Sequence, residues 1–133
     1  MSRLVVTVAL DDTLATIQAL FKEHRFHHLL VVEQGELAGV ISDRDLLKSI
    51  SPNIGTLSET DRDLATLNKR AHQIMTRNPI AVDAQATIAA AAALMIGKNV
   101  SCLPVTTAAR RLEGILSWKD ILKALLASLP SGA

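Results

Sequence analysis

Two stretches of the chain share one pattern, Gly39-Val40-Ile41-Ser42-Asp43-Arg44-Asp45 and Gly114-Ile115-Leu116-Ser117-Trp118-Lys119-Asp120. Each sets a hydroxyl, a cation and a carboxylate close together behind a short apolar run. If the run is a strand and the next residues open a helix, the serine stands at the helix mouth. The first N–H groups there lack partners and carry partial positive charge, so a phosphate can dock. Arg44 or Lys119 adds a cation beside it. Asp45 or Asp120, one turn on, can accept hydrogen bonds from vicinal hydroxyls such as those of a ribose. The same Ser-x-x-Asp spacing also makes a capping box that serves stability alone. Both copies need a capped helix, so duplication leaves the two readings open.

The remaining reactive side chains point to less. His24, His27 and His28 are near neighbours and His72 lies far along the chain. His24 and His28 are four residues apart, but no pattern places several ligands on one helical face, so no metal is expected. Cys102 reads as a small apolar side chain on or near a strand, since no partner base is identifiable. A phosphate-binding Walker loop, a G-x-S-x-G elbow and an H-E-x-x-H motif are absent from the sequence, which argues against an enzyme.

The elements that must position these residues follow from an internal repeat. Met1-Ser2-Arg3 aligns with Met75-Thr76-Arg77, an offset of 74 that also pairs Val8 with Val82, Leu14 with Ile88 and Val31 with Val105. Past the next turn the offset is 75, the kind of insertion a hairpin tolerates. Each copy reads strand, helix, strand, strand, helix. The first strand is expected around Leu4–Val8 and Ile80–Val82. A helix over Thr13–Glu23 carries Leu14, Ile17, Leu20 and Phe21 on one face, and its counterpart runs from Thr87 to Ile96, where Gly97 supplies the stop. Leu29–Val32 with Leu37–Ile41, and Leu103–Val105 with Leu112–Leu116, read as hairpins. The closing helices are Asp43–Ile50 and Trp118–Leu129. Between the copies, Ser51–Thr56 is a turn-forming stretch, and Ser58-Glu59-Thr60-Asp61 is expected to cap a polar helix reaching Met75.

The composition fits such a chain. Its 133 residues are 49% hydrophobic, 20% charged and only 2% aromatic, so an ordered aliphatic core is expected. A formal net charge of +1 gives no basic footprint, and nucleic acid is an unlikely partner. One cysteine and no leader pattern make the cytoplasm the default location, and the alanine-rich Ile88–Ile96 is far too short to span a bilayer.

The repeats resemble a tandem pair of CBS domains. The resemblance rests on Ile74-Met75-Thr76-Arg77-Asn78-Pro79 ahead of the second copy, Leu103-Pro104-Val105 on its middle strand, and the Gly-x-x-Ser-x-x-Asp ending of both. It implies an α/β (α+β) fold of two pseudo-symmetric β-α-β-β-α half-domains packed through their sheets. The first repeat would span 1–50, a partly helical linker 51–70 and the second repeat 71–129. The first copy has no counterpart of Ala71–Ile74 ahead of Met1, so a lead-in segment is expected upstream.

Membership would make the chain a non-enzymatic regulatory module. It would bind adenosine-containing nucleotides of the AMP, ADP or ATP class in the clefts between the repeats, and respond through the geometry of its halves or of a homodimer. An effector protein, not identifiable from sequence, would read the response. The resemblance places Thr7 and Val8 against the base of the first ligand, His27 and His28 at the entry to the middle strand, and Ser42, Arg44 and Asp45 at the sugar and phosphate. For the second ligand it implies Ile80, Ala81, Ser101, Cys102 and Pro104, then Ser117, Lys119 and Asp120. A constitutive dimerisation scaffold with vestigial clefts is the alternative, in which Ser and Asp only cap helices.

Overall fold

A computed structural model describes residues 6–24 and 27–129, which divide into two compact units, residues 6–79 and 80–129. The Leu4–Val5 part of the first expected strand lies outside the described residues.

In the first unit, β1 (Thr7–Val8) pairs parallel with β2 (His28–Glu33), and α1 (Leu14–Glu23) makes the crossover between them. Parallel strands cannot be joined by a tight turn, which is why an α-helix intervenes. Thr13 opens α1 by accepting the Thr16 N–H on its hydroxyl, and Leu14 and Ile17 project from the helix into the core with no exposure at all. An antiparallel hairpin joins β2 to β3 (Glu36–Ser42). Its turn residues Gln34 and Gly35 both have positive φ, 53° and 81°, the geometry that matches strand twist in a two-residue loop. Strand β3 delivers the chain directly into α2 (Asp43–Ser49). Leu29, Val31, Ile41 and Leu46 complete a core with Val8 and Ala71.

The interrepeat segment departs from the single helix expected between Ser58 and Met75. The cap is Thr60 with Asp63, not Ser58 with Asp61, and it opens only α3 (Asp61–Ala65), followed by one 3-10 turn, Thr66–Asn68. At Lys69 and Arg70 the chain turns extended and runs antiparallel to the entry of α1. Leu14 N–H donates to the Lys69 carbonyl (2.9 Å), Ala71 N–H to the Asp12 carbonyl (2.8 Å) and His72 N–H to the Leu10 carbonyl (3.1 Å). These inter-segment bonds replace the i to i−4 bonds of a helix, so helicity resumes only in α4 (Ala71–Ile74). Strand β4 (Thr76–Arg77) then closes the first sheet in the order β1-β2-β3-β4. Gly39 makes this closure possible, because a Cβ there would lie 2.5 Å from the Met75 sulfur and 2.9 Å from the Thr76 carbonyl oxygen.

The second unit repeats the plan with β5 (Val82–Asp83), α5 (Ile88–Lys98), β6 (Cys102–Thr106), β7 (Leu112–Ser117) and α6 (Trp118–Ser128). The sheet order is β5-β6-β7, with β5 parallel to β6 and β6 antiparallel to β7. Two expectations are corrected here. The short strand begins at Val82, where parallel pairing to Val105 starts, so Ile80 and Ala81 precede it. Helix α5 runs through Gly97 and stops at Asn99, whose left-handed φ of 54° lets its N–H reach the Ile96 carbonyl. The core of this unit is Ala91, Met95, Leu103, Val105, Leu116 and Ile121. The hairpin is one residue longer than its counterpart, and it closes through Thr107 N–H to the Arg111 carbonyl (2.9 Å) with Arg110 at positive φ, 65°. Ala91 is the buried member of the alanine run.

Candidate functional site

Both duplicated motifs form the strand-to-helix mouth that their spacing implies. In the first unit Ser42 ends β3 opposite His28, and in the second Ser117 ends β7 opposite Cys102. The first helical residue is tied back to the middle strand in both. Asp43 N–H donates to the His27 carbonyl and Trp118 N–H to the Ser101 carbonyl, each at 3.0 Å. Residues 27 and 28, and 101 and 102, are thereby held beside Ser42 or Ser117. The hairpin register brings together segments that sequence separates.

Each mouth carries a complete capping box. Ser42 N–H donates to Asp45 Oδ2 (2.9 Å) while Asp45 N–H donates to Ser42 Oγ (3.1 Å). Ser117 N–H donates to Asp120 Oδ2 (2.8 Å) and Asp120 N–H to Ser117 Oγ (3.3 Å), and the Ser117 hydroxyl donates to the same Oδ2 (3.0 Å). Capping occupies one carboxylate oxygen. Among the described residues neither Asp45 nor Asp120 uses Oδ1 in a hydrogen bond. The capping and diol-binding roles are therefore compatible, one oxygen for each.

Around the first mouth, Thr7 is exposed, but Val8 is 3% exposed and its side chain packs in the core. Thr7 is thus the β1 side chain open to solvent at this position. His28 is half-buried, and its desolvation holds the imidazole pKa below the usual 6.5 against the opposing pull of the Asp43 carboxylate. His27 is exposed and its Nδ1 lies 2.9 Å from Asp43 Oδ2. That hydrogen bond, more than any other influence, lowers the Asp43 carboxyl pKa. This pair was not anticipated from sequence, since its members are 16 residues apart and meet only through the hairpin register. Arg44 extends into solvent.

Around the second mouth, Ile80 and Ser101 are exposed, Ala81 is half-buried and Pro104 is buried. Cys102 is half-buried, and burial pushes its thiol up to about 11, so it is a protonated, unreactive thiol at neutral pH. Trp118 is half-exposed, with the Lys119 ammonium 5.9 Å from its ring centroid. Such a cation and indole stack weakly in water.

Among the described residues each unit has a cavity that is not lined chiefly by the expected residues. A cavity of about 440 Å³ in the first unit opens between α1 and α2, against Phe21, Leu46, Leu47 and Ile50, and shares only Asp43 with the mouth. A cavity of about 180 Å³ in the second unit lies under β5 and α5, lined by Val82, Ile88, Val105 and Leu116 among others. Among the described residues no group of three or more His, Cys, Asp or Glu side chains could hold a metal, and no helix is long and apolar enough to cross a membrane.

Fold and site together define a tandem α/β repeat that presents one capped helix mouth per unit. The CBS domain family matches residues 1–52 and 71–127, and the chain belongs to that family. A CBS domain-containing protein of Dictyostelium discoideum is 34% identical over 128 residues, which cover 95% of this chain and 88% of the relative. Two solved structures share the fold. CBSX2 in complex with AMP aligns with a TM-score of 0.76 at 26% identity, over 92% of this chain and 88% of that one. A CBS domain pair in complex with 5′-methylthioadenosine and S-adenosyl-L-methionine aligns with a TM-score of 0.75 at 25% identity, over 97% and 94%. Other curated relatives are much longer, the chain spanning 16%, 44% and 20% of three of them.

Proposed function

We propose that the chain is a non-enzymatic regulatory module that binds adenosine-containing nucleotides, of the AMP, ADP or ATP class, at its two helix mouths. The observation that carries this is the division of labour on Asp45 and Asp120, where Oδ2 closes the cap and, among the described residues, Oδ1 is in no hydrogen bond and would accept a ribose hydroxyl. Relatives of the same fold solved with AMP and with methylthioadenosine and S-adenosylmethionine support it. Ser42, Arg44 and Asp45 would hold the sugar end at one mouth, and Ser117, Lys119 and Asp120 at the other. Thr7, His27 and His28, or Ile80, Ala81, Ser101, Cys102 and Pro104, would flank the rest of the ligand. Such a ligand regulates only through different affinity for two states of the module, which an effector protein would then distinguish.

A dimerisation scaffold is the second reading, and the surface of α6 favours it. Ile121 is buried, yet Leu122, Leu125, Leu126 and Leu129 are between 48% and 68% exposed. A thermal-shift panel of AMP, ADP, ATP, NAD and S-adenosylmethionine separates the two. Millimolar ligand with micromolar affinity adds about 4 kcal/mol to stability by mass action, a rise in Tm on the order of 10 °C. A flat panel favours the scaffold.

A further inference from the structure

We propose that the hollow between α1 and α2 receives helix α6 of a second copy of this chain, so that two copies meet first unit against second unit and not like against like, whatever the helix mouths bind. Past the hairpins the repeats align at an offset of 75, so Leu47, Ile50, Ser51 and Ile54 of the first unit correspond to Leu122, Leu125, Leu126 and Leu129 of the second. These equivalent positions are built in opposite relief. Helix α2 stops after seven residues, and Ser51 is drawn aside by donating its N–H to Thr66 Oγ1 (3.1 Å) and its hydroxyl to Asp63 Oδ1 (2.7 Å). Pro52 then turns the chain away from the helix axis. What remains is the cavity of about 440 Å³, with Phe21, Leu46, Leu47 and Ile54 on its walls. Helix α6 instead runs for eleven residues and sets Leu122, Leu125, Leu126 and, at its cap, Leu129 on one face, at i, i+3, i+4 and i+7, each 48% exposed or more.

One unit therefore offers a hollow where the other offers a ridge. A cavity of about 150 Å³ is enough for a benzene, so the hollow has room for about three leucine side chains. Hollow against hollow would enclose a void, which packed interiors avoid, and ridge against ridge would leave the hollow uncovered. Charge selects the same pairing. Helices α5 and α6 carry Lys98, Lys119 and Lys123 with Asp120 as their one carboxylate, a net charge of +2. On α1 and α2, Lys22, Arg44 and Lys48 are balanced by Glu23, Asp43 and Asp45, for a net charge of zero. Two second units brought together by these helices would repel each other. A second unit on a first unit meets no net charge, and the Asp43 carboxylate lies on the wall of the hollow.

The test is light scattering at micromolar concentration on the full chain and on two variants, Leu47→Lys in the hollow and Leu126→Glu on the ridge. Both leucines are mostly exposed, 75% and 68%, so the replacements leave the cores intact. The unmodified chain is expected at about twice its 14.3 kDa mass, and each variant alone at the single-chain mass, since a charge would be buried against apolar side chains. Mixed in equal amounts, the two variants should return to about twice the chain mass. In a two-fold symmetric pair one contact is then unmodified, and the other sets the introduced lysine against the introduced glutamate. Melting curves establish that each variant is folded, and Ile54→Lys or Leu122→Glu replaces one that is not. A monomeric unmodified chain, a Leu47→Lys or Leu126→Glu variant that still self-associates alone, or a mixture that stays monomeric overturns the proposal.

Discussion

At the residue scale, titration and capping meet in a few side chains. His28 is held below its ordinary pKa of 6.5 by burial, so the folded state resists a proton that the unfolded chain accepts. Stability is unaffected well above pH 6.5 and falls as pH drops through 6.5 toward the lowered folded value. Asp43 acts further down the scale. Its depressed pKa contributes stability above the ordinary 3.8 that is lost as pH falls through the folded value. The expected outcome is a Tm that declines from pH 7 to pH 5, with a smaller decline in His28→Gln. Parallel curves for the two proteins would show that the imidazole does not sense its burial. The Ser-x-x-Asp spacing was enough to read the helix mouths from sequence, because a capping box is a local motif. The His27–Asp43 pair was not legible, because long-range register, not spacing, creates it.

At the element scale, the repeat made most of the architecture legible. Continuous apolar runs on either side of a polar turn located both hairpins, and the Leu14, Ile17 face located α1. The ends of elements were harder, since they depend on which backbone groups find partners elsewhere. Gly97 looked like a helix stop on its residue type, yet α5 continues through it to Asn99 and open space surrounds the position where its Cβ would be. Gly97→Ala should therefore stabilise the protein by about 0.5–1 kcal/mol, since alanine loses less backbone entropy in a helix and meets no clash. Urea unfolding reads this as a higher midpoint at constant slope. A lower midpoint would mean that the helix does not run through residue 97. The linker misled for the same reason. Its polar, helix-compatible residues carry no sign that Lys69–His72 will pair with Leu10–Leu14 and so break the helix.

On the scale of the whole molecule, the family assignment rests on order and repetition of weak motifs, which a chain-length match reinforces. The exposed leucines of α6, with Ile96 at 83% exposure, form more apolar surface than solitary surface residues need. We expect a homodimer, so light scattering at micromolar concentration should report about twice the 14.3 kDa chain mass. A monomer throughout that range would assign the leucines some other cover.

The central claim is that Asp45 and Asp120 hold a ribose as well as cap a helix, and calorimetric titration of AMP into the unmodified chain and into the Asp45→Asn/Asp120→Asn double variant tests it most directly. Asparagine can still accept the Ser42 or Ser117 N–H, so each replacement should cost the ligand-free protein about 1 kcal/mol or less. A ribose diol would lose charge-assisted hydrogen bonds worth about 1.5–3 kcal/mol each, so affinity should fall tenfold or more. Unchanged affinity in the double variant, with stability lowered, would contradict the claim and leave both aspartates as caps.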